Sequence, residues 1–571
     1  MHKIDEALGL ALEGNHKKAW EICEQLERLG PNGIPDTKGN LGNSEMWMRH
    51  SFNRGWHLLQ KGDFQGGMRI LENGRYLNTY GSPPLRTDKQ IWNFEKDDPV
   101  GKNLIIALEG GFGDEIIYAR FVSEYKKLGF SKVYLAAAPE LVTIFSRIEG
   151  CDGVILRNEA HTVEHDYWIP GFSSGWLVGT TYHTLSGKQY LTANKESVDI
   201  WKQFLKTDKK YKVGLRWAGN PKFEHQQFRT FPTEFLFQLE KAFPEIQFYS
   251  FQRDHNTEVV PNGIYDLQHL LLGWEDTAAA ISEMDLMISS CTSIAHMSAA
   301  LGKDTYALIP VLPYHVWAYG CGDEPGEKGS STSPWYDSVT LFRQLHKNKW
   351  NEPFQDLYNA LEIKFGLTRQ TELKDYDEKI KRLNMGCGYL KLDGYINADI
   401  STRVKPDMIV DFSKSRWDQF EDNEFSHIVA KDILEHLPGD FCNVVKEMYR
   451  ISKNGAIWEL QFPHHRCDHA VNDPTHVRFL TQSTFQMFDR VVCQRLNSEN
   501  RSESMLAFEH DVDIQVCEVN YDFVEYWLNK VHKKEMTMED LYEALNFYNN
   551  VASSVKVLIQ VHKPFRVNSL T

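Results

Sequence analysis

A glycine-rich turn at Glu109–Asp114 is the first segment of the chain whose residue types suit chemistry. Its sequence, Glu-Gly-Gly-Phe-Gly-Asp, follows the apolar run Leu104–Leu108 and precedes a helical pattern of apolar residues. Ligands of open α/β folds bind at the carboxyl ends of strands. Glycines there let the backbone approach a ligand, and free N–H groups of the following helix attract anions. The turn therefore predicts a ligand site, with a plain tight turn and a capping Asp as the alternative.

A second glycine-rich turn lies in the C-terminal third of the chain. Leu383–Gly388, with the sequence Leu-Asn-Met-Gly-Cys-Gly, ends one predicted strand, and Asn397–Asp399 ends the next. A glycine turn admits a cofactor close to the backbone, and an acidic residue at the tip of the second strand accepts hydrogen bonds from ribose hydroxyls. This pairing predicts a cofactor that contains a ribose.

Four segments occur in a consistent order along the first part of the chain. They are Glu109–Phe121, Val213–Pro221, Asp285–Gly302, and Ser333–Tyr336 before Leu341–Gln344. In these segments the sequence resembles the tetratricopeptide-linked glycosyltransferases related to lipopolysaccharide heptosyltransferases, which have the two-domain GT-B fold. The resemblance covers roughly residues 50–345. It implies a nucleotide-sugar donor and a glycan or other hydroxyl-bearing acceptor, and it identifies neither the sugar nor the acceptor.

The resemblance implies that Asp114 faces the cleft as the general base for the acceptor hydroxyl. A sugar hydroxyl is a poor nucleophile, and a carboxylate in a partly desolvated cleft can take its proton as the glycosidic bond forms. This family uses no dedicated metal. Cationic side chains and a helix N-terminus are therefore expected to stabilise the charge on the leaving phosphates.

The predicted ligands of the donor phosphates are two cations and three residues at the start of a helix. They are Lys222, Arg229, Thr292, Ser293 and His296. Solvated surface charges and an ordinary helix histidine are the alternatives for the cations and for His296. Cys291 stands where relatives usually carry Asp, so donor affinity or phosphate handling is expected to differ.

The C-terminal part resembles class I S-adenosylmethionine-dependent methyltransferases over roughly residues 380–565. Besides the second glycine turn, the matching segments are Asp407–Asp411, Ile433–Pro438, and Asn472–His476 before Phe479. The resemblance implies that Gly386 and Gly388 cradle the methionine part, Asp399 holds the ribose, and Asp411 lies near the adenine. Asn384 and Leu390 depart from the family pattern, which usually has a carboxylate and a third glycine at these positions, so weakened binding is expected.

Methyl transfer to a hydroxyl needs a base or a close in-line approach, because the sulfonium leaving group already activates the methyl group. His436 and His476 are the candidate catalytic residues, with Asp432 and Asp473 as alternatives. A packing role is the other interpretation of His436.

The segment His464–His469, together with His476, contains the residue types that bind zinc. No spacing here matches a known zinc finger or a catalytic set of ligands, so no metal is predicted. We interpret the segment as a polar loop at the acceptor site.

The elements that must position these residues follow an α/β pattern of short apolar runs and amphipathic helices. The first series of predicted strands is Leu104–Leu108, Val133–Ala138, Val154–Leu156 and Tyr167–Ile169. The second is Lys212–Ala218, Gln247–Phe251, Leu286–Ser289, Thr305–Ile309 and Val339–Phe342. The third is Leu383–Met385, Tyr395–Ala398, Met408–Val410, Ile428–Ala430, Ala456–Leu460, Ile514–Val519 and Val555–Val561.

We therefore predict an α/β multidomain protein with five segments. They are a helical tetratricopeptide-like region at 1–98, the two Rossmann-like GT-B domains at 99–207 (acceptor side) and 208–350 (nucleotide-sugar side), a helical and charged linker at 351–380, and a Rossmann-like methyltransferase domain at 381–571. A length of 571 residues agrees with about three or four domains.

The helical region repeats a theme of helix, Gly-polar turn and helix. Its turns at Gly14 and Gly62 lie 48 residues apart, whereas tetratricopeptide repeats have a period of about 34. An ordinary helical cap is the alternative. So short an array is expected to pack on the neighbouring domain, and it is a possible site for a protein partner.

Composition narrows the class of protein. The net charge is −15, from 63 Lys and Arg against 78 Asp and Glu, which argues against general nucleic-acid binding and leaves only a local basic groove. The nine cysteines are scattered, as in reduced cytoplasmic proteins. The first residues lack an apolar signal core and no run is long enough to span a bilayer, so a cytoplasmic protein without a transmembrane segment is predicted.

The leading interpretation is a bifunctional glycosyltransferase and methyltransferase. One alternative is a tetratricopeptide-type scaffold with one or both catalytic blocks degenerate, which Cys291 and Asn384 favour. The other is modification of nucleic-acid bases, which the acidic charge disfavours.

Overall fold

The computed structural model describes residues 3–34, 44–82, 85–219, 229–232, 235–252, 263–373, 381–392, 394–499, 501, 505–532 and 535–566. Of these, the residues up to 373 form one compact unit and those from 381 onward form a second. All three sheets are mainly parallel and carry helices, which confirms the predicted α/β class.

The first unit begins with four helices. They are α1 Lys3–Leu12, α2 His16–Leu29, α3 Ser44–Gln60 and α4 Phe64–Leu71. The helices are tied to later segments, because Trp56 Nε1 donates to the carbonyl of Pro313 at 2.8 Å and Gln65 Nε2 to that of Thr180 at 2.6 Å. The helical region therefore packs on the rest of the first unit, as its short length predicted.

A four-stranded parallel sheet comes next, in the order β3-β2-β1-β4. Its strands are β1 Asn103–Ala107, β2 Lys132–Ala137, β3 Gly153–Leu156 and β4 Tyr167–Pro170, with helices α5 Phe112–Ala119, α6 Val122–Lys127, α7 Val142–Phe145 and α8 Ser174–Leu177. The helical pattern that follows the glycine turn forms two helices, α5 and α6, with a break at Arg120. The Arg120 guanidinium donates to the carbonyl of Ile117 at 3.0 Å and so satisfies a carbonyl at the end of α5.

The second sheet of the first unit has seven strands in the order β10-β11-β9-β8-β5-β6-β7. They are β5 Tyr211–Arg216, β6 Ile246–Ser250, β7 Ile264–Asp266, β8 Leu286–Ser290, β9 Thr305–Ile309, β10 Thr332–Ser333 and β11 Tyr336–Arg343, of which β10 is antiparallel. Its helices are α9 Lys195–Phe204, α10 Leu236–Ala242, α11 Trp274–Ser282, α12 Ser293–Ala300 and α13 Asn351–Phe365.

Helix α13 lies in the segment that the sequence assigned to a linker. Its Phe354 ring stacks on Phe235 with centroids 4.4 Å apart, and Leu357 and Leu361 are fully buried. The helix is therefore part of the packed body of the first unit.

The second unit is built on one seven-stranded sheet in the order β14-β13-β12-β15-β16-β18-β17, in which β18 is antiparallel to both neighbours. Its strands are β12 Lys381–Met385, β13 Ile396–Asp399, β14 Met408–Ile409, β15 Phe425–Lys431, β16 Ser452–Pro463, β17 Ile514–Phe523 and β18 Ala552–Val561. Its helices are α14 Phe441–Ile451, α15 Asp468–Asn472, α16 Gln482–Gln486, α17 Arg490–Ser498, α18 Leu506–Glu509, α19 Glu525–His532 and α20 Met538–Phe547. Since the first strand, β12, is flanked by β13 and β15, the strand order reverses there, which is where open α/β sheets bind ligands.

All nine cysteines are unpaired. Among the described residues, no helix combines the length and the apolar character that a membrane crossing requires.

Candidate functional site

Asp114 lies in the first turn of α5, directly after the glycine turn that ends β1. Its carboxylate accepts hydrogen bonds from the Gly111 amide at 2.9 Å and from the hydroxyl of Tyr314. Tyr314 follows β9 of the second sheet, so this bond joins the two sheets of the first unit. Burial raises the pKa of Asp114 to about 6, against the lowering effect of these hydrogen bonds and of Arg229. Near neutral pH the group is therefore ionised but close to its pKa, as a general base should be.

The N-terminal turns of α5 and α12 meet beside Asp114. A Cβ atom built on Gly113 would lie 3.5 Å from the Cα atom of Ser293, so the two helix starts approach closely. Thr292 precedes α12 in extended conformation, and its hydroxyl lies 3.1 Å from that of Ser289. The first N–H groups of a helix lack intrahelical partners and carry partial positive charge. Two such helix starts at one place favour an anion.

Arg229 lies at the same edge of the second sheet. Its guanidinium donates to the carbonyl of Cys291 at 3.0 Å, just after β8, and its charge lowers the pKa of Asp114. Cys291 is buried, and burial raises the pKa of its thiol, so the side chain stays neutral. Of the two predicted cations, Arg229 is thus placed beside Asp114, whereas Lys222 lies outside the described residues.

His296, one turn into α12, is enclosed by aromatic rings. It is 3% exposed, its ring stacks on Trp317 with centroids 5.0 Å apart, and its Nδ1 lies 3.2 Å from the hydroxyl of Tyr336. Burial lowers its pKa to about 3, so the imidazole is neutral. The observed contacts of His296 are therefore packing contacts, and its predicted role toward phosphate stays a prediction.

Two arginines outside the predicted site hold its elements in place. Arg75, from the helical region, forms a bidentate pair with Glu109 at 2.8 and 2.9 Å. Arg120 is buried, donates to the carbonyl of Trp335 at 2.6 Å and lies over the ring of Tyr336. Since both Arg120 and Trp335 belong to the segments that carried the resemblance, these segments also join the two sheets.

The glycine turn of the second unit leaves space for a ligand. Gly386 and Gly388 have positive φ angles of 63° and 50°, which glycine adopts without strain. A Cβ atom on Gly386 would lie 2.5 Å from the side chain of Ile433, whereas one on Gly388 would meet nothing within 4 Å. Gly386 is therefore required by packing, and Gly388 borders open space.

Asp399 holds this turn through the backbone. Its two carboxylate oxygens accept hydrogen bonds from the amides of Gly388, at 2.9 Å, and Ser401, at 2.8 Å. Asp411 follows β14, beside β13, and its hydrogen bonds from Ser413 lower its pKa. Carboxylate oxygens have further lone pairs, so both residues keep acceptor capacity toward a ligand.

Asn384 has a structural role that the sequence analysis missed. Its side-chain amide donates to the carbonyl of Leu390 at 2.7 Å and to Oδ1 of Asn397 at 2.9 Å. A carboxylate could donate neither bond. The departure from the family pattern at this position is thus explained by the way the chain closes the turn.

A pocket of about 790 Å³ opens beside the end of β15. Its lining includes the candidate residues of methyl transfer, namely Asp432, His436, Asp473 and His476, together with Glu435. The rings of His436 and His476 lie 4.5 Å apart. Burial raises the pKa of Asp432, and hydrogen bonds from Thr475 lower that of Asp473. The fold therefore brings together His436 and His476, which are 40 positions apart in the sequence.

The loop His464–His469 does not gather around His476. His464 is buried, and its Nδ1 accepts a hydrogen bond from the amide of Arg466 at 3.3 Å, whereas His469 is exposed at the pocket wall. Among the described residues, His476 instead converges with Glu435 and His436.

Comparison with known proteins gave matches to solved structures only, since no family model and no curated protein matches the sequence. The glycosyltransferase family 9 protein of Veillonella parvula is 11% identical over 49% of this chain and 94% of its own, with a TM-score of 0.32. The ADP-heptose LPS heptosyltransferase II of E. coli is 11% identical over 47% of this chain and 100% of its own, with a TM-score of 0.34. A SAM-dependent methyltransferase of Archaeoglobus fulgidus is 14% identical over 36% of this chain and 94% of its own, with a TM-score of 0.23. These are the two kinds of enzyme that the sequence motifs resemble, and the tetratricopeptide part stays a prediction.

Proposed function

We propose that the protein is a bifunctional transferase, whose first unit transfers a sugar from a nucleotide-sugar donor to a hydroxyl group and whose second unit transfers a methyl group. The observation that carries the first activity is the position of Asp114 at the meeting point of two helix N-termini, with Arg229 beside them. A base for a hydroxyl and a stabilising environment for phosphate are thus next to each other.

In the proposed glycosyl transfer, Asp114 takes the proton of the acceptor hydroxyl as its oxygen bonds to the sugar carbon. The hydroxyl of Tyr314 and the amide of Gly111 hold the carboxylate in one orientation. As the bond between the sugar and the donor phosphate breaks, negative charge grows on the nucleotide. The start of α12, with Thr292 and Ser293, and the guanidinium of Arg229 stabilise that charge, and Lys222 is a second cation by its position in the sequence.

In the second unit, the open space at Gly388 fits a cofactor that passes over the turn. We assign the methionine part of S-adenosylmethionine to Gly386 and Gly388, the ribose to Asp399 and the adenine to the neighbourhood of Asp411. When bound there, this cofactor supplies an activated methyl group. His436 and His476, at the wall of the pocket, orient the acceptor hydroxyl. As its oxygen takes the methyl group, S-adenosylhomocysteine leaves and the hydroxyl proton passes to a base in the pocket, with Asp432 and Asp473 as the carboxylate candidates.

The acceptor of either unit is a glycan or another hydroxyl-bearing molecule, and both activities belong in the cytoplasm. A protein partner of the helical region would use the face of α1–α4 that does not pack on the rest of the first unit.

Thermal shift measurements test the proposal, because a ligand that binds the folded state raises its melting temperature. The full chain is heated alone, with a panel of nucleoside diphosphates and nucleotide sugars, and with S-adenosylmethionine or S-adenosylhomocysteine. At least one nucleotide and the methyl donor should each raise Tm. No shift with any nucleotide up to millimolar concentration would contradict the first activity, and no shift with either sulfur compound would contradict the second.

A further inference from the structure

Three potential metal ligands converge at the wall of the pocket in the second unit. Glu435 and His436 lie in the short turn after β15, and His476 lies in the loop after α15. One ligand atom from each side chain falls within 4.8 Å of the others. The amide of Val477 donates to the carbonyl of Glu435 at 2.9 Å, which holds the two segments together. Since a cation bound at about 2.1 Å places its ligand atoms roughly 3 to 4 Å apart, small side-chain movements suffice to close the site.

The carboxylate of Glu435 is buried without a partner. The residue is 2% exposed, and neither carboxylate oxygen accepts a hydrogen bond from another residue. Elsewhere in this unit, the buried carboxylates of Glu447 and Asp513 are paired with arginines at 2.8 and 2.6 Å. A buried charge without a partner costs several kcal/mol, whereas a bound cation would neutralise it. Glu435 therefore lacks a positive partner that the folded chain supplies to its other buried carboxylates.

Nδ1 of both histidines is engaged in a hydrogen bond. The hydroxyl of Thr475 donates to Asp473 at 2.6 Å, so its oxygen accepts from Nδ1 of His436 at 2.9 Å. Nδ1 of His476 donates to the carbonyl of Ala470 at 3.0 Å. A histidine that donates from Nδ1 presents a lone pair at Nε2, and metal-bound histidines are commonly fixed by such second hydrogen bonds.

We propose that Glu435, His436 and His476 bind one divalent transition-metal ion. Two imidazoles and a carboxylate suit Zn²⁺, Mn²⁺, Fe²⁺ or Co²⁺, whereas Mg²⁺ and Ca²⁺ prefer oxygen ligands. The remaining coordination positions face the pocket, where they hold water or an oxygen atom of the methyl acceptor. Histidines that bind the ion through Nε2 orient the acceptor hydroxyl through the ion and not by a direct hydrogen bond. This role toward the acceptor rests on the proposed methyl transfer, and the binding of the ion does not.

The test begins with the full chain after treatment with a chelator. Calorimetric titration with Co²⁺, Mn²⁺, Zn²⁺ and Mg²⁺, each alone and without S-adenosylmethionine, should give one transition-metal ion per chain and weaker binding of Mg²⁺. Glu435→Gln and His476→Gln should each weaken the affinity for Co²⁺ by at least about 100-fold, or roughly 2.8 kcal/mol. His469→Gln, at the same pocket wall but outside the cluster, is the matched control and should bind Co²⁺ like the wild type.

A second measurement guards against variants that fail to fold. Without metal, Glu435→Gln should melt no lower than the wild type, because it replaces a buried carboxyl group that has no hydrogen-bond partner. With Co²⁺, only the wild type and His469→Gln should gain in Tm. The site is overturned if the wild type binds no stoichiometric ion, or if both ligand variants keep wild-type affinity.

The acceptor role is tested separately by methyl transfer before and after chelation, with Co²⁺ or Mn²⁺ added back. Chelation should reduce the rate at least tenfold, and metal should restore it. An undiminished rate after chelation would overturn the acceptor role. Metal binding with no methyl transfer under any condition would instead refute the proposed function of this unit and leave the ion site standing.

Discussion

The two units use the same sequence device, a glycine turn after the first strand of a parallel sheet, in different ways. In the first unit the turn leads straight into α5, and its acid, Asp114, lies in the first turn of that helix. In the second unit the acid, Asp399, comes from the neighbouring strand and binds the turn through the Gly388 amide. We propose that the first arrangement presents a carboxylate to the acceptor hydroxyl, and that the second forms the binding surface for the cofactor.

The two candidate sites also differ in whether their buried carboxylates have partners. In the first unit Asp114 is bonded to Tyr314, and Glu109 to Arg75. In the pocket of the second unit, Glu435 is buried and has no such partner. A site whose groups are paired is preorganised for one geometry, whereas an unpaired buried carboxylate indicates that a ligand completes the site.

The largest effect is expected from removing the carboxylate of Asp114 in the first unit. Asp114→Asn should reduce glycosyl transfer by about 100-fold or more, because the acceptor hydroxyl loses its base. Steady-state rates with saturating donor measure this, and donor affinity should stay nearly unchanged. Asp88→Asn, which replaces an exposed carboxylate of the same unit, is the control. A turnover of Asp114→Asn equal to that of the wild type would remove Asp114 from the mechanism.

The second prediction concerns a substitution that fills the open space beside Gly388 in the second unit. Gly388→Val should weaken S-adenosylmethionine binding by at least about 30-fold, or roughly 2 kcal/mol, because the side chain enters the open space beside the turn. Calorimetry of the full chain measures the affinity. Gly455→Val is matched, since Gly455 also has a positive φ and open space around it, so it reproduces the backbone strain alone. If both variants lost the same affinity for S-adenosylmethionine, backbone strain would explain the effect and Gly388 would not border the cofactor.

The third effect concerns the cation beside Asp114. Arg229→Ala should weaken binding of the donor nucleotide by about 10- to 100-fold, because a charge-assisted hydrogen bond to phosphate contributes roughly 1.5–3 kcal/mol. Lys222→Ala should act in the same direction. Arg86→Ala, an exposed arginine of the same unit, is the control for net charge. Wild-type nucleotide affinity in Arg229→Ala would exclude this residue from the donor site.

The smallest expected effect is a pH dependence of glycosyl transfer that comes from Asp114. The base acts when ionised, and burial raises the pKa of Asp114 to about 6. Glycosyl transfer should therefore level off above pH 7 and fall as pH drops through about 6, to roughly a tenth at pH 5. Rates measured from pH 5 to 8 test this, with the residual rate of Asp114→Asn as the pH-insensitive reference. A plateau that continues to pH 5 would contradict the assignment.

The sequence predicted the sheets well because buried parallel strands are short apolar runs between turns. All seven strands predicted for the second unit are present, although β16 runs over Ser452–Pro463, well beyond the predicted Ala456–Leu460. The short strands β7 and β10 have no apolar run and were missed. Helix α13 was assigned to a linker because its apolar face does not show which segment it packs on, and its partner Phe235 lies more than a hundred residues earlier.

The candidate sites were predicted only where a local motif marked them. The turns around Asp114 and Gly388 were identified from their glycines. Tyr314 and Glu435 were not identified from the sequence. Tyr314 is distinguished by its hydrogen bond to the distant Asp114, and Glu435 by the absence of a hydrogen-bond partner. Periodicity and spacing along one chain carry no signal of that kind.

If the chain holds two separate transferase sites, titration of the full chain should distinguish them. The wild type is titrated with nucleoside diphosphates and with S-adenosylhomocysteine, and so are Arg229→Ala and Gly388→Val. We expect one site for each kind of ligand, with Arg229→Ala weakening the binding of the nucleotide alone and Gly388→Val that of S-adenosylhomocysteine alone. Binding of neither ligand to the wild type, or one variant that removes both, would contradict it.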